Sequence, residues 1–251
     1  MRQKIMESIK ISEQYSFEVN KSSVIGKDLL IEHYWESHPR FHFFKSVKRN
    51  ATFLDVGAGD GGLSVWKEWK EPIRNDIRMY GIDFKDGTHK RNYEGWFTGN
   101  LETNSFPFPD VTFDVIYMSH LLEHINEPIQ MLERLFKHQA EFGTVYVELP
   151  HENTVGFPKN DLFMFAGFQP CTTNFFDDNS HTKVYTEKSL LQLFESMGYS
   201  KLHSGVIHNP YLIDDLLSTA YYTQDQELTT YALWNALKWS RYIVFEKGVQ
   251  S

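Results

Sequence analysis

The chain has 251 residues, of which 41% are hydrophobic, so it can bury one large core, and we expect a single domain. Its formal net charge is −8, and the longest basic cluster is residues 46–50 (SVKRN), which argues against nucleic acid and anionic membranes as partners. One cysteine excludes an internal disulfide, and neither a signal peptide nor an apolar run long enough to span a membrane is apparent, so we expect a cytoplasmic protein.

The hydrophobic pattern predicts helices and strands that alternate along the first part of the chain. Residues 27–45 are predicted to be helical with a break near Pro39, and residues 51–57 to be a buried strand that runs into glycines. A helix is predicted over residues 63–70. The elements that follow are predicted as strand 77–84, strand 94–100, strand 111–119, helix 128–138 and strand 143–150.

After residue 150 the alternation of predicted strands and helices stops, and an aromatic stretch rich in Asn and Asp follows up to residue 183. Thr186 then caps a helix closed by Gly198, and the remaining elements are predicted as strand 199–207, two helices within 210–239 and strand 240–247. The alternation predicts a doubly wound α/β fold with a mostly parallel, seven-stranded sheet. We divide the expected single domain into an N-terminal helical cap (1–50), a cofactor-binding core (51–150) and two insertions (151–185 and 209–239).

The glycine-rich turn at residues 57–62 (GAGDGG) matches G-x-G-x-x-G between a predicted strand and a helix, with Asp83 at the end of the next strand. This pattern alone fits a dinucleotide, whose pyrophosphate suits a helix N-terminus. Asp55 and Asp60, however, would repel a pyrophosphate and would suit a ligand that carries an ammonium and a sulfonium group. These acids favour S-adenosylmethionine over a nicotinamide cofactor.

Several segments resemble class I S-adenosylmethionine-dependent methyltransferases. Residues 53–62 (FLDVGAGDGG) resemble their first motif, residues 80–84 (YGIDF) their second, and residues 99–128 the segment around the fourth strand of small-molecule members. Residues 181–199 (HTKVYTEKSLLQLFESMGY) are similar to a branch rich in quinone, sugar and lipid-precursor methyltransferases. The resemblance implies a Rossmann-like fold, S-adenosylmethionine as cofactor and S-adenosylhomocysteine as product.

The resemblance also implies which residues contact the cofactor. These residues are Asp55, Gly57, Ala58, Gly59, Asp83, Phe84, Asn100, Leu101, Glu102 and Ser119. Asn100 departs from the Asp that such proteins usually carry beside the adenine. Its amide oxygen can still accept a hydrogen bond from the adenine amino group, and Glu102 is close by.

Residues 120–124 (HLLEH) have the H-x-x-E-H order of one class of zinc peptidases. They lie at the end of a predicted strand, in a segment that the resembled family carries without zinc, so we predict no metal site there. His120 and His151 each follow a strand of the core, and His181 follows the first insertion. Because histidine titrates near neutrality, each of the three is a candidate for the base that removes the acceptor's proton.

Some sequence features remain open between two interpretations. Asp177, Asp178 and His181 fit either a divalent-cation site or a solvated turn. The six phenylalanines of residues 156–178 either line a pocket for a ring-shaped, hydroxylated acceptor or pack the insertion. Residues within 209–239 either complete that pocket or form the surface of a homodimer.

We predict an enzyme that O-methylates a hydroxyl of a small, sugar-derived acceptor, such as a nucleotide-activated precursor of a surface polysaccharide. The alternatives are O-methylation of a phenolic or quinone-like molecule, N-methylation of an amine, and a non-catalytic subunit that only holds the cofactor. A nicotinamide-dependent dehydrogenase is disfavoured by Asp55 and Asp60.

Overall fold

The computed structural model describes residues 6–248. Within them the elements run β1 (Met6–Lys10), β2 (Ser16–Asn20), α1 (Lys27–Glu36), α2 (Pro39–Ser46), β3 (Thr52–Val56), β4 (Arg78–Asp83), β5 (Gly95–Thr98), β6 (Phe113–Ser119), α3 (Pro128–Phe136), β7 (Gln139–Pro150), α4 (Asn160–Phe165), α5 (Glu187–Glu195), β8 (Tyr199–Val206), α6 (Ile213–Thr223), α7 (Gln226–Leu237) and β9 (Ser240–Lys247). No helix among these residues is long and apolar enough to cross a membrane.

The chain forms two compact units. The helical unit consists of the described parts of Met1–Arg40, Pro150–Val184 and Val206–Arg241. The sheet unit consists of the described parts of Phe41–Leu149, Tyr185–Gly205 and Tyr242–Ser251.

The sheet unit is built on a seven-stranded sheet with the strand order β5-β4-β3-β6-β7-β9-β8. The pairings β5–β4, β4–β3, β3–β6 and β6–β7 are all parallel, so the carboxyl ends of these strands meet at one edge. The strand order reverses at β3, which lies between β4 and β6, and open α/β sheets bind their ligands at such a point. The prediction of a Rossmann-like, mostly parallel, seven-stranded sheet is confirmed.

All five residues of strand β3 are buried, as is typical of a central strand in a parallel sheet that is covered on both faces. Leu54 and Val56 pack in one hydrophobic cluster with residues of β6, α3 and α5, whereas Phe53 packs in a second cluster with Phe44 and Tyr117. Because successive side chains of a strand point to opposite faces, these clusters form one core on each side of the sheet.

The helical unit packs α1, α4, α6 and α7 around a separate hydrophobic cluster that includes Leu30, Leu216 and Leu233. The predicted N-terminal helical cap is only partly right, because β1 and β2 form an antiparallel hairpin before α1. The hairpin follows an alternating pattern in which Ile11 and Val19 are buried on one face.

Two local predictions also need correction. Residues Gly62–Lys67 form a 3₁₀ helix where an α-helix was predicted over 63–70, and the Ser64 hydroxyl donates to the Gly61 carbonyl inside this segment. Such a bond competes with regular helix formation, and Val65 and Trp66 are weak helix formers. Strand β7 begins at Gln139 rather than at residue 143, with a register shift against β6. The predicted break at Pro39 and the cap at Thr186 are confirmed.

Candidate functional site

The glycine turn (residues 57–62) leaves β3 at the carboxyl edge of the sheet. Its glycines at positive φ are Gly57 (75°), Gly59 (60°) and Gly61 (81°). The backbone N–H groups of Gly57 and Ala58 donate to the carbonyl of Ile82, at 2.8 and 3.0 Å, which ties the turn to β4. The positive φ favours glycine at position 57, and a Cβ atom there would lie 3.2 Å from Leu121 Cδ1, which would have to shift slightly.

Asp83 lies at the end of β4, in direct contact with the glycine turn. Its Oδ2 accepts a hydrogen bond from Gly59 N at 2.8 Å, and its Oδ1 accepts one from Lys85 N at 3.0 Å. Each carboxylate oxygen has two lone pairs, so Asp83 keeps the capacity to accept further hydrogen bonds from a ribose. The next residue, Phe84, is exposed.

Asp55 is buried two residues before the turn, where it accepts a 2.7 Å hydrogen bond from the hydroxyl of Tyr93. The same hydroxyl lies 3.3 Å from the Gly61 carbonyl. Burial and the neighbouring charge of Asp55 raise the pKa of Tyr93 far above its usual range, so this hydroxyl remains a donor. The sequence prediction missed Tyr93, since no motif connects it with a carboxylate 38 positions earlier.

Asn100, Leu101 and Glu102 form a turn after β5. Asn100 Oδ1 accepts from Glu102 N at 2.7 Å, and Leu101 packs against the hydrophobic core. The Glu102 carboxylate accepts from the backbone N–H groups of Asn126 and Glu127, each at 3.0 Å, and so holds the start of α3. The side-chain oxygen of Asn100 therefore already accepts a hydrogen bond within the turn, and the carboxylate of Glu102 already accepts hydrogen bonds from the start of α3.

His120 follows β6 in the left-handed region, with φ 52°. Its Nδ1 lies 3.3 Å from Glu123 Oε1 and its Nε2 lies 3.1 Å from Glu148 Oε1. Burial by itself would lower the pKa of His120, but hydrogen bonds to the two carboxylates and their charges raise it to about 9. The second oxygen of Glu148 accepts from Tyr146 at 2.7 Å. His120 is therefore a cation at neutral pH, held between two buried acids.

The preceding residue, Ser119, ends β6. Its hydroxyl oxygen is buried and makes no hydrogen bond within residues 6–248. Such a group is uncommon in a folded protein, which agrees with the predicted role of Ser119 in holding a ligand.

His151 lies in the helical unit, directly after β7. Arg241 Nη2 lies 2.9 Å from its Nε2, and Asn153 N donates to its Nδ1 at 3.1 Å. Arg241 also lies 3.2 Å from Glu152 Oε2. Both nitrogens of His151 therefore already face donors, in a charge cluster whose arginine the sequence prediction missed.

His181 lies in the helical unit as well. Its Nδ1 donates to the Phe175 carbonyl at 2.6 Å, and its ring packs against that of Phe175 at a centroid distance of 4.5 Å. Its Nε2 lies 3.9 Å from Asp178 Oδ2. Asp177 and Asp178 accept hydrogen bonds from backbone N–H groups, as expected of the turn that we predicted as one alternative.

The phenylalanines of residues 156–178 differ in burial. Phe163, Phe168 and Phe175 are buried, whereas Phe165 and Phe176 expose 95% and 57% of their surface. Cys171, in the same stretch, is exposed.

The comparisons with known proteins agree with this geometry. A family model described as a methyltransferase domain matches residues 32–204. No curated protein sequence matches the chain. Among solved structures, the chain is similar to a chain in a complex between the Trm112 methyltransferase activator and a methyltransferase of Haloferax volcanii. The identity is 16% and the TM-score is 0.57, and the match covers 88% of this chain and 89% of the matched chain.

Two further solved structures have the same fold. One is a sarcosine dimethylglycine methyltransferase from Galdieria sulphuraria, with 13% identity, a TM-score of 0.55 and 88% and 86% of the two chains covered. The other is the plantazolicin methyltransferase BpumL in complex with S-adenosylhomocysteine, with 15% identity, a TM-score of 0.51 and 89% and 90% covered. At these identities the similarity shows the fold.

Proposed function

Because this chain belongs to the class I S-adenosylmethionine-dependent methyltransferase family, we propose that it methylates a hydroxyl of a sugar or of a nucleotide-activated sugar precursor of a surface glycan. The methyltransferase part of this proposal rests on the glycine turn. Gly59 N of this turn donates to Asp83 at the point where the strand order reverses. The cofactor, S-adenosylmethionine, supplies a methyl group activated on a sulfonium.

The residues of the sheet unit fit this cofactor. The turn has no side chain at Gly57 to keep a ligand away from the backbone, and the two strand-end acids Asp55 and Asp83 flank it. Carboxylates attract the positive charges of the cofactor and accept hydrogen bonds from ribose hydroxyls. Asp55, and Asp60 within the turn, would repel a pyrophosphate, which supports the choice over a nicotinamide cofactor.

For the base that removes the hydroxyl proton, we propose His181. The hydrogen bond from Nδ1 to the Phe175 carbonyl orients its ring, and the Asp178 carboxylate lies 3.9 Å from Nε2, close to the nitrogen that would take up the proton. His151 is less suited to the role, because Arg241 Nη2 lies 2.9 Å from its Nε2 and Asn153 N donates to its Nδ1, so both ring nitrogens are already engaged.

His120 is the least suited of the three to act as the base. Its pKa of about 9 keeps it protonated at neutral pH, and both its nitrogens face buried carboxylates. We propose that His120 instead fixes the conformation of the chain where it leaves β6.

The sugar-derived acceptor rests on the character of the first insertion. Thr173, Asn174 and Asp177 form a polar network there, with Thr173 Oγ1 donating to Asn160 Oδ1 at 2.9 Å. Polar side chains held in place by such bonds, next to aromatic rings, suit a hydroxylated ring. The proposal is tested by incubating the enzyme with S-adenosylmethionine and a panel of nucleotide-activated sugars, and measuring S-adenosylhomocysteine and the methylated product.

A phenolic or quinone-like acceptor is the second candidate, favoured by the exposed rings of Phe165 and Phe176. The same panel therefore includes quinols, simple phenols and amines. Methylation of a sugar hydroxyl would support the first proposal. Turnover with phenols or amines while every activated sugar stays unmodified would refute the sugar assignment and leave the cofactor assignment intact.

A further inference from the structure

The segment after β4 packs along the glycine turn as a second layer of residues. We call residues 87–93 the buttress segment. Its His89 N donates to the carbonyl of Asp60 at 2.8 Å, and a Cβ atom on Gly87 would come within 2.7 Å of the same carbonyl. Asn92 Nδ2 donates to Ser64 Oγ at 3.0 Å. The turn is thus held from outside at Asp60, and the buttress segment also contacts Ser64 just beyond the turn.

Tyr93 makes the contact nearest to the cofactor acids. Its side chain is buried, and its hydroxyl bonds Asp55 Oδ2 at 2.7 Å and approaches the Gly61 carbonyl at 3.3 Å. The ring is itself fixed by an edge-to-face contact with Trp96 at 5.1 Å. One rigid side chain therefore touches both Asp55 and the last part of the turn.

A hydroxyl group and a positively charged side chain affect a buried carboxylate in different ways. A lysine or arginine at this place would neutralise Asp55, whereas a hydroxyl stabilises the charged form by a hydrogen bond and leaves the negative charge in place. A carboxylate that stays negative can attract the ammonium group of the cofactor, while one that binds a proton cannot. The Tyr93 hydroxyl supplies such a hydrogen bond to Asp55.

We propose that Tyr93 is a positioning residue of the cofactor site, which keeps Asp55 ionised and oriented and holds the glycine turn in its ligand-binding conformation. The proposal rests on the proposed placement of S-adenosylmethionine at this turn. The other titratable groups around this pair are Tyr117 on β6, opposite Asp55 in register, and Asp60 in the turn.

The test compares Tyr93→Phe with Tyr80→Phe by calorimetric titration with S-adenosylhomocysteine. Tyr80→Phe is the matched control, because it removes a hydroxyl whose partner, Glu94, is an exposed residue outside the turn, at 3.3 Å. We expect Tyr93→Phe to weaken binding about tenfold to hundredfold, the range for losing a hydrogen bond to a charged group, and Tyr80→Phe to bind within about twofold of the wild type. Equal binding by Tyr93→Phe and the wild type would overturn the proposal.

The pH dependence separates positioning from simple packing. In the wild type, affinity should stay constant between about pH 6 and pH 8, because Asp55 remains ionised. In Tyr93→Phe the remaining affinity should fall as the pH is lowered, since a buried carboxyl group without its donor binds a proton more readily. Adding Asp55→Asn to Tyr93→Phe should abolish this slope.

A loss of affinity that is the same at every pH would mean that Tyr93 only fills space, which contradicts the proposal. Wild-type affinity that already falls between pH 8 and pH 6 would also contradict it, and this measurement needs no variant to fold. A wild type that does not bind S-adenosylhomocysteine at all would refute the proposed cofactor, and the two failures are therefore distinguishable.

Discussion

Replacement of His120 by glutamine should remove a pH-dependent contribution to folding stability. The carboxylates of Glu123 and Glu148 raise the pKa of His120 from 6.5 to about 9 in the folded protein. Each unit corresponds to about 1.4 kcal/mol, so the preferred protonation of the folded state contributes about 3 kcal/mol. Because the folded pKa is the higher one, this contribution is complete below the unfolded pKa of 6.5 and is lost as the pH rises through about 9.

The assay is urea unfolding of the wild type and of His120→Gln, followed by tryptophan fluorescence at about pH 6, pH 8 and pH 10. The difference in the free energy of unfolding between the two proteins should shrink by about 3 kcal/mol between pH 6 and pH 10, mostly above pH 7. Taking the difference removes the titration of the other histidines and lysines. A constant difference would show that His120 has an ordinary pKa, and the argument that it is a fixed cation would then be wrong.

Three substitutions test the cofactor site and the base. Gly57→Val should abolish binding of S-adenosylhomocysteine, because a φ of 75° is strained for valine and its Cβ would lie 3.2 Å from Leu121 Cδ1. Gly156→Val is the control and should bind normally in the same titration, because no atom lies within 4 Å of its Cβ. Asp83→Ala should weaken that binding by about 1.5–3 kcal/mol, and unchanged calorimetric affinity would place the cofactor elsewhere. His181→Ala should lower the turnover rate by about 10²–10⁴ and leave the cofactor affinity near that of the wild type. If His151→Ala and His181→Ala instead show equally small decreases in turnover rate, neither histidine is the base.

The cofactor side of the site could be predicted because its signals are local in the sequence. The glycine turn follows β3 without interruption, and Asp83 ends the next strand, so parallel strand order alone brings the two together. The same reasoning predicted that His120 and His151 follow β6 and β7. Local sequence patterns and one topological rule were sufficient for these positions.

The partners of those residues could not be predicted, because they come from distant parts of the chain. Tyr93 lies 38 positions from Asp55, and Arg241 lies 90 positions from His151. Only tertiary packing determines such pairs, and they decide which hydrogen bonds these groups make. The sequence therefore indicated three histidines as candidates for the base without showing their neighbours.

The N-terminal hairpin was missed for a different reason. Its strands are five residues long and carry many charges, so the alternation of apolar residues that ends at Val19 is too short to stand out in a sequence. The 3₁₀ helix after the glycine turn shows the same weakness, since helical spacing over a few residues does not distinguish it from an α-helix.

Calorimetric titration of the purified protein with S-adenosylhomocysteine, and separately with NAD, tests the central claim most directly. We expect micromolar binding of S-adenosylhomocysteine and no binding of NAD at the same concentrations, because Asp55 precedes the turn and Asp60 lies within it. Binding of NAD instead would contradict the argument from these two acids, and with it the assignment of this glycine turn to a methyl donor.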